Sequence, residues 1–152
     1  MPDSRDDRLE LARDPRTPAK TLTRLAAHKA WSVRAEVASN PRTPPKALQQ
    51  LAEDRRWEVR TEVALNPSAG GKVLELLAAD AHKSVRTAVA LNPGAPGAAL
   101  RLLAKDKASV VRLRVAENRN APSAALRRLA ADDEREVRKA AGENHRTPKK
   151  VK

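Results

Sequence analysis

The chain contains no cysteine, no phenylalanine and no tyrosine among its 152 residues, and it has only two tryptophans. Without cysteine it has no disulfide, no thiolate metal site, no cysteine-ligated iron-sulfur cluster and no thiol nucleophile. Because large aromatic side chains usually dominate a globular core, their near absence disfavours a single globule. Alanine, valine and leucine must do the packing, and such small side chains suit thin layers that touch only their neighbours.

Long apolar runs are also absent. No stretch approaches the roughly 20 apolar residues of a membrane span, and the N-terminus lacks the apolar run of a signal peptide. We therefore predict a cytoplasmic protein with no membrane partner. The sequence has no glycine-rich phosphate loop, nucleophile elbow or paired-acid motif, so we predict no catalytic residue, no metal site and no cofactor.

Positive charge is in excess and is unevenly distributed. The 31 lysines and arginines outnumber the 19 acidic residues, which gives a formal net charge of +12. Residues 1–76 contribute +3 of this charge and residues 77–152 contribute +9. A domain this basic is typical of nucleic-acid binders, and we expect its C-terminal half to contribute more to binding a polyanion.

A 26-residue repeat runs through the chain. Three dipeptides recur with this spacing: Val-Arg five times from Val33-Arg34 to Val137-Arg138, Asn-Pro from Asn40-Pro41 to Asn92-Pro93, and Leu-Ala from Leu25-Ala26 to Leu129-Ala130. Repeats of this length indicate a solenoid, in which each unit buries its apolar surface against the next. We predict one repeat domain over residues 1–152, with about five full repeats and a partial one at the C-terminus.

Each repeat is predicted to form two short helices. The first begins near Glu58 in the unit that starts at Trp57, and it ends at Asn66 because Pro67 disfavours a helical residue before it. The second begins at Thr43-Pro44 in the preceding unit, where the threonine is expected to cap the helix. Neither helix is long enough to be stable alone, which explains the array.

The two ends of the chain differ in this pattern. Asp3, Asp6 and Asp7 are placed to complement the N-terminal end of the first helix. At the other end a sixth second helix is expected to begin at 147–150, and no comparable polar cap follows it. This favours a chain that is part of a longer protein.

The repeated string resembles the leucine-rich repeat variant family. Its residues are Val-Arg-x-x-Val-Ala-x-Asn-Pro-x-Thr-Pro, followed by Leu-x-x-Leu-Ala-x-Asp, as in Val33 to Pro44 and Leu48 to Asp54. The resemblance implies an all-α, right-handed superhelical solenoid related to HEAT repeats, in which α-helices alternate with short 3₁₀- or α-helices. Some family members carry an iron-sulfur module, which this cysteine-free chain cannot build.

A ladder of arginines is the most repeated polar feature, and it has two interpretations. On stacked helices, these side chains would form a row that contacts phosphates. Alternatively they pair with aspartates that recur six residues before them, a spacing similar to that of paired residues in HEAT repeats, and we favour this structural role. Since His28 replaces the first aspartate, Arg34 is the expected free member. The ladder comprises Arg8, Arg34, Arg60, Arg86, Arg112 and Arg138.

Further candidates lie outside the ladder. Arg114 and Lys139 follow it on later first helices, whereas Arg42, Arg119 and Arg146 lie in turns. Together with the ladder residues Arg34, Arg60, Arg86, Arg112 and Arg138, they are the predicted nucleic-acid contacts. The repeated asparagines are expected to satisfy backbone groups at the turns. Trp31 and Trp57 share one repeat position and are open to exposed roles, stacking on a base or anchoring a protein partner, or to burial at the repeat junction.

The sequence favours a non-enzymatic module that binds DNA or RNA with little sequence preference, through phosphate contacts. The alternative is a protein-interaction scaffold with an acidic protein partner. An enzyme acting on nucleic acid has only the fold analogy with HEAT-like DNA glycosylases to support it.

Overall fold

The computed structural model describes residues 4–147, and over this span the chain forms eleven α-helices and no strand. The helices alternate between two layers. Nine-residue helices form the first layer: α1 (Arg5–Arg13), α3 (Trp31–Ser39), α5 (Trp57–Leu65), α7 (Lys83–Leu91), α9 (Ser109–Glu117) and α11 (Arg135–Glu143). Helices of seven or eight residues form the second: α2 (Ala19–Leu25), α4 (Pro45–Leu51), α6 (Gly71–Ala78), α8 (Gly97–Leu103) and α10 (Ser123–Leu129).

The predicted all-α solenoid is therefore confirmed. Each first-layer helix packs against the first-layer helices before and after it and against neighbouring second-layer helices. The buried alanines, valines and leucines of both layers form one continuous core, which includes Val33, Val37, Leu48 and Leu51. Among the residues with assigned positions, no helix is long and apolar enough to cross a membrane.

The helix ends follow local sequence. The first layer was predicted to begin near Glu58 and end at Asn66; α5 begins one residue earlier, and Asn66 is its C-cap. The second-layer helices are α-helical, and i→i+3 hydrogen bonds tighten only their ends, as in Asp54 N–H to Leu51 C=O at 3.1 Å. At the N-terminus, the Ser4 hydroxyl and the Asp7 carboxylate accept reciprocal backbone hydrogen bonds in a capping box, which confirms the predicted role of Asp7.

The threonines do not cap the second helices, contrary to the sequence-based expectation. The N-cap of α4 is Pro44, without a side-chain cap, and the Thr43 hydroxyl donates to the Val37 carbonyl at 2.5 Å. Thr17 bonds to Leu11 in the same way at 2.6 Å. The hydroxyl serves the preceding helix instead, because the residues four positions after Val37 and Leu11 are prolines, which have no N–H to donate to these carbonyls. The expected sixth second helix and Asp3 fall largely outside residues 4–147.

A ladder of asparagines joins neighbouring repeats at the turn between the two helices. The Asn66 amide donates to the carbonyls of Ala38 and Asn40 in the preceding repeat, at 2.7 and 2.9 Å. Its oxygen accepts from the N–H of Ser68 at 2.8 Å. The same three bonds recur at Asn40, Asn92, Asn118 and Asn144. The prediction that these side chains satisfy turn backbone is confirmed, and the structure adds that they reach across the repeat boundary.

Removing one rung of this ladder should cost more stability than removing an exposed asparagine. Asn66→Ala leaves the Ala38 carbonyl and the Ser68 N–H without their partner and removes one of the two donors to the Asn40 carbonyl, so we expect the free energy of unfolding to fall by about 2–4 kcal/mol. The matched control is Asn120→Ala, because Asn120 is exposed and its side chain makes one hydrogen bond, to the Pro93 carbonyl, instead of three. Urea unfolding followed by circular dichroism measures the free energy of unfolding of both variants. Equal losses in the two variants would contradict the proposed contribution of the ladder to stability.

Candidate nucleic-acid interface

The predicted arginine ladder lies at the opposite edge of the solenoid, where each second-layer helix connects to the next first-layer helix. The Arg60 Nε and Nη2 donate to both carboxylate oxygens of Asp80, at 2.6 and 3.0 Å. Its Nη1 donates to the Asp54 carbonyl at 2.7 Å. The same arrangement pairs Arg34 with Asp54, Arg86 with Asp106 and Arg112 with Asp132. Each guanidinium thus bridges two successive connections.

This geometry settles the alternative left open by the sequence. At these four positions the arginines are structural braces with little capacity left for phosphate. The carboxylate partner is twenty residues after the arginine, in the next repeat, whereas the aspartate six residues before it contributes only its backbone carbonyl. The expectation that Arg34 is free is therefore wrong, because Arg34 pairs with Asp54.

His28 instead interrupts the ladder at its first rung. Its Nε2 lies 3.0 Å from Nη1 of Arg8, and its Nδ1 accepts the N–H of Ala30 at 3.1 Å. A neutral imidazole has one acceptor nitrogen, so it cannot accept from both donors at once. Burial, followed by the Arg8 charge, lowers the pKa of His28 below its ordinary value. At the other end, the Arg138 Nη1 donates to the carbonyls of Asp132 and Asp133.

Within the ladder the carboxylates are held in their charged form. Burial raises the pKa of Asp80, but hydrogen bonds from Arg60 and from the N–H of His82 lower it further than burial raises it. The net pKa is below the ordinary value, as it also is for Asp54, Asp106 and Asp132. The paired side chains are mostly buried, so these charges contribute less to the outer surface than the formal count suggests.

The side of the first layer that points away from the second layer is acidic and mostly half-buried. Its positions on α5 are Glu58, Thr61, Glu62 and Leu65, and we call the equivalent positions of all six helices the first-layer face. Burial, followed by the charge of Glu36 on the neighbouring helix, raises the pKa of Glu62. Over residues 4–147 this face carries three basic side chains, Arg13, Arg114 and Lys139, against eight acidic ones, namely Asp6, Glu10, Glu36, Glu58, Glu62, Glu117, Glu136 and Glu143.

Two predicted contacts, Arg114 and Lys139, lie on this acidic face. Arg114 forms an ion pair with Glu117 at 2.7 Å on its own helix. Lys139 shares α11 with Glu136 and Glu143 on the same face. Sequence position alone could not show this, because the outward direction of each helix depends on which side packs on the second layer.

The outward side of the second layer is basic. Its positions on α8 and beyond its end are Ala98, Arg101, Leu102 and Lys105, and we call the equivalent positions of the five helices the second-layer face. All twenty of its residues are exposed, and only Glu53 and Glu75 are acidic. Its eight basic residues are Lys20, Arg24, Lys46, Lys72, Arg101, Lys105, Arg127 and Arg128. Lys20, Lys46 and Lys72 recur with the 26-residue period, but none of the eight is among the contacts predicted from the sequence. The spacing of Arg101, Lys105 and Arg128 relative to the buried leucines contains the signal for this face.

The most basic part of this face adjoins a recess. Lys105 and Arg128 line an open depression of about 570 Å³ between the ends of α8 and α10, together with Arg112 and Asp132 of the ladder. No acidic residue of the second-layer face occurs on α8 or α10, so the predicted bias of positive charge toward the C-terminal half is present on this surface.

The remaining candidates, Arg42, Arg119 and Arg146, are exposed at the asparagine edge. Arg42 and Arg146 hold the same repeat position, but the three repeats between them carry Ser68, Gly94 and Asn120 at that position. The structure therefore does not gather Arg42 and Arg146 into one patch. No group of three or more histidine and acidic residues within the described span has the arrangement of a metal site.

Comparison with known proteins agrees with this architecture. A leucine-rich repeat variant domain model matches residues 32–91, and a leucine-rich repeat variant model matches residues 84–107. The chain superposes on a solved structure described as a leucine-rich repeat variant with a novel repetitive protein structural motif, with a TM-score of 0.73, 32% identity and 93% of this chain covered. The chain belongs to the leucine-rich repeat variant family.

This leucine-rich repeat variant chain spans 56% of the length of that solved relative. An engineered protein of known crystal structure is 18% identical over 90% of this chain and 85% of its own, with a TM-score of 0.48, which is too weak to show a shared fold. No curated protein matches the chain. A repeat solenoid of this family is suited to binding or scaffolding, and its fold leaves the ligand open.

Restoring the missing ladder carboxylate should stabilise this leucine-rich repeat variant. His28→Asp provides a carboxylate whose two oxygens can both accept from Arg8. One of these oxygens can also accept the N–H of Ala30, as the Asp54 carboxylate does for Arg34 and the N–H of Arg56. We expect a gain of about 1 kcal/mol in the free energy of unfolding at pH 7.5. Thermal and urea unfolding measure it, and a loss of stability would contradict the ladder geometry at this rung.

The gain should increase as the pH falls. The folded-state pKa of His28 is lowered, so the unfolded chain, with an ordinary histidine pKa of about 6.5, takes up the proton first and the wild type loses stability below that pH. The aspartate stays ionised between pH 7.5 and 5.5, so the variant avoids this loss. If the stability difference between the variant and the wild type does not change over this pH range, protonation of His28 does not destabilise the folded wild type.

Proposed function

We propose that the chain is a non-enzymatic module that binds DNA or RNA through contacts between the second-layer face and phosphates. The separation of charge between the two faces supports this proposal. A net charge of +12 spread evenly would give only nonspecific attraction. Here one face carries eight basic and two acidic residues, and the opposite face carries the reverse excess. A polyanion is therefore attracted to one side of the solenoid and repelled from the other.

The strongest part of the proposed surface is α8 and α10. Arg101, Lys105, Arg127 and Arg128 are exposed there without an acidic residue on the same face. Stacked helices are about 8–10 Å apart, so one repeat step spans roughly three phosphates at about 3.4 Å each. Cations on neighbouring repeats can then contact the same strand. Contacts to phosphates carry no sequence information by themselves, which agrees with weak sequence preference.

A protein scaffold is the second candidate function. The second-layer face exposes Leu76 and Leu102 among its cations, with 55% and 51% of their surface accessible. An acidic protein partner with apolar side chains would contact both features. Its signature is a complex that survives nuclease treatment. A cytoplasmic location and the lack of catalysis remain parts of the proposal.

Charge reversal on the two faces tests the proposal. Arg101→Glu with Arg127→Glu removes two positive and adds two negative charges on the second-layer face. We expect the affinity for a labelled oligonucleotide to fall about tenfold or more near 100 mM salt, and the slope of log K against log salt to decrease by about one per lost phosphate contact. Fluorescence anisotropy between about 50 and 200 mM salt measures both.

The matched control is Arg114→Glu with Lys139→Glu, which changes the net charge equally on the first-layer face. We expect it to alter the affinity less than about threefold, because these side chains do not contact the phosphates and long-range effects are screened. If the control weakens binding as much as the test variant, the second-layer face is not the interface. If the wild type binds no oligonucleotide at the lowest salt concentration, nucleic-acid binding itself is rejected.

A further inference from the structure

Two tryptophans occupy the connecting edge of the solenoid, beside the arginine ladder. Trp31 begins α3 and Trp57 begins α5, so they hold the same position in successive repeats. They are partly exposed, with 41% and 39% of their surface accessible. Of the two roles open from the sequence, full burial at the repeat junction is excluded. The chain has no tyrosine or phenylalanine, so these rings are its only large aromatic surfaces.

Each indole ring is held in place by a planar side chain from the next repeat. The Arg56 guanidinium carbon lies 4.9 Å from the centroid of the Trp31 ring. The His82 ring stacks on Trp57 with 4.1 Å between centroids and 5° between planes. Arg56 and His82 occupy equivalent repeat positions, and Arg56 is also paired with Glu58 at 2.8 Å. Rings fixed in this way lose little conformational freedom when a flat ligand stacks on them.

The surroundings of the rings are cationic even though the ladder is neutralised. The Arg34 guanidinium is bound by Asp54, so it adds little free charge. Exposed cations from the connections remain: Lys29 and Arg55 beside Trp31, and Lys83 at the tryptophan position of the following repeat. Trp31, Lys29 and Arg55 line an open recess of about 650 Å³. A flat, partly apolar surface next to fixed positive charge matches a nucleobase attached to its phosphate.

We propose that this edge binds single-stranded nucleic acid, with unpaired bases stacking on Trp31 and Trp57 while the connection cations contact the phosphates. This inference rests on the proposed function and adds the form of nucleic acid that is recognised. In a duplex both faces of each internal base are covered by its neighbours, so they are closed to an indole ring. Stacking on aromatic side chains accepts any base, which agrees with the weak sequence preference of the proposed function.

The spacing of the rings is compatible with one strand. Neighbouring first-layer helices are about 8–10 Å apart, and stacked nucleotides rise by about 3.4 Å. Two to three nucleotides therefore separate bases that stack on successive tryptophans. DNA and RNA share this chemistry, so both are included in the test. An exposed tryptophan can also anchor a protein, but the adjacent cations and planar stacking partners favour a base over an apolar pocket.

Intrinsic fluorescence gives a direct readout, because the emission comes from these two tryptophans alone. A 12-nucleotide deoxythymidine strand and a 12-nucleotide uridine strand are titrated into the protein at about 50 mM salt, alongside a hairpin duplex and an abasic 12-mer. Quenching of the emission is expected with both base-bearing strands and not with the abasic strand or the duplex. Anisotropy of the same labelled strands reports binding independently of quenching.

Substitution separates stacking from phosphate attraction. Trp31→Ala and Trp57→Ala should each weaken binding of the base-bearing strands roughly tenfold and leave binding of the abasic strand and the duplex unchanged. Trp57→Phe, which keeps a flat aromatic ring against His82, should recover most of the affinity. Leu91→Ala is the matched control, because Leu91 is 49% exposed on the first-layer face and away from this edge; it should bind like the wild type. Circular dichroism melts check that each variant is folded.

The outcomes distinguish this inference from the proposed function. If base-bearing and abasic strands bind equally and no quenching occurs, the stacking inference is overturned while phosphate binding stands. If no strand binds in anisotropy, both are overturned, and a tryptophan-dependent interaction with an acidic protein would then indicate a protein anchor. If Trp57→Phe loses as much affinity as Trp57→Ala while both variants are folded, the ring does not act by stacking, and the inference is also overturned.

Discussion

The fold depends on hydrogen bonds that cross from one repeat to the next. Helices of seven to nine residues are too short to be stable alone. The asparagine ladder satisfies backbone groups of the preceding repeat, and the arginine ladder binds a carboxylate of the following one. The asparagine ladder runs along one edge of the solenoid and four arginine–aspartate pairs run along the other, so the repeats from Arg34 to Asp132 are tied at both edges and the apolar layers between them are held in register. Stability therefore resides in the junctions between repeats rather than in any single unit.

This arrangement determines which polar residues are available for function. Each repeat commits one asparagine, one arginine and one aspartate to its junctions, and these are the residues that recur most regularly along the sequence. The positions free to carry function are those that vary between repeats. The repeat position of Glu36 is glutamate again in the next repeat, then Ala88 and then Arg114. The repeat position of Gln49 is occupied by Glu75 and then by Arg101 in the following repeats. In this chain, the polar residues that recur most regularly along the repeats have a structural role, whereas the polar positions that vary between repeats lie on the surface.

The sequence predicted the period, the two helices per repeat and the turn role of the asparagines, because each of these follows from local spacing. It did not predict the carboxylate partner of Arg34, since a strictly periodic chain places equivalent aspartates at six residues before and twenty residues after the arginine. It also missed the role of Thr43, because a hydroxyl beside proline can serve either the helix before it or the helix after it. It could not show that Arg114 shares its face with acidic residues, because only the packing of the two layers shows which side of each helix points away from the core.

The second-layer face is continuous with the connecting edge that carries Trp31 and Trp57. Second-layer helices end where the connections begin, so the recess near α10 is lined both by Lys105 and Arg128 of the face and by Arg112 of the ladder. The recess near Trp31 likewise includes Gln50, which is on the second-layer face. A flexible single strand can follow such a bent surface, with phosphates on the basic face and bases at the edge, whereas a stiff duplex can contact only one of the two. The charge distribution and the aromatic edge are thus consistent with one ligand rather than two.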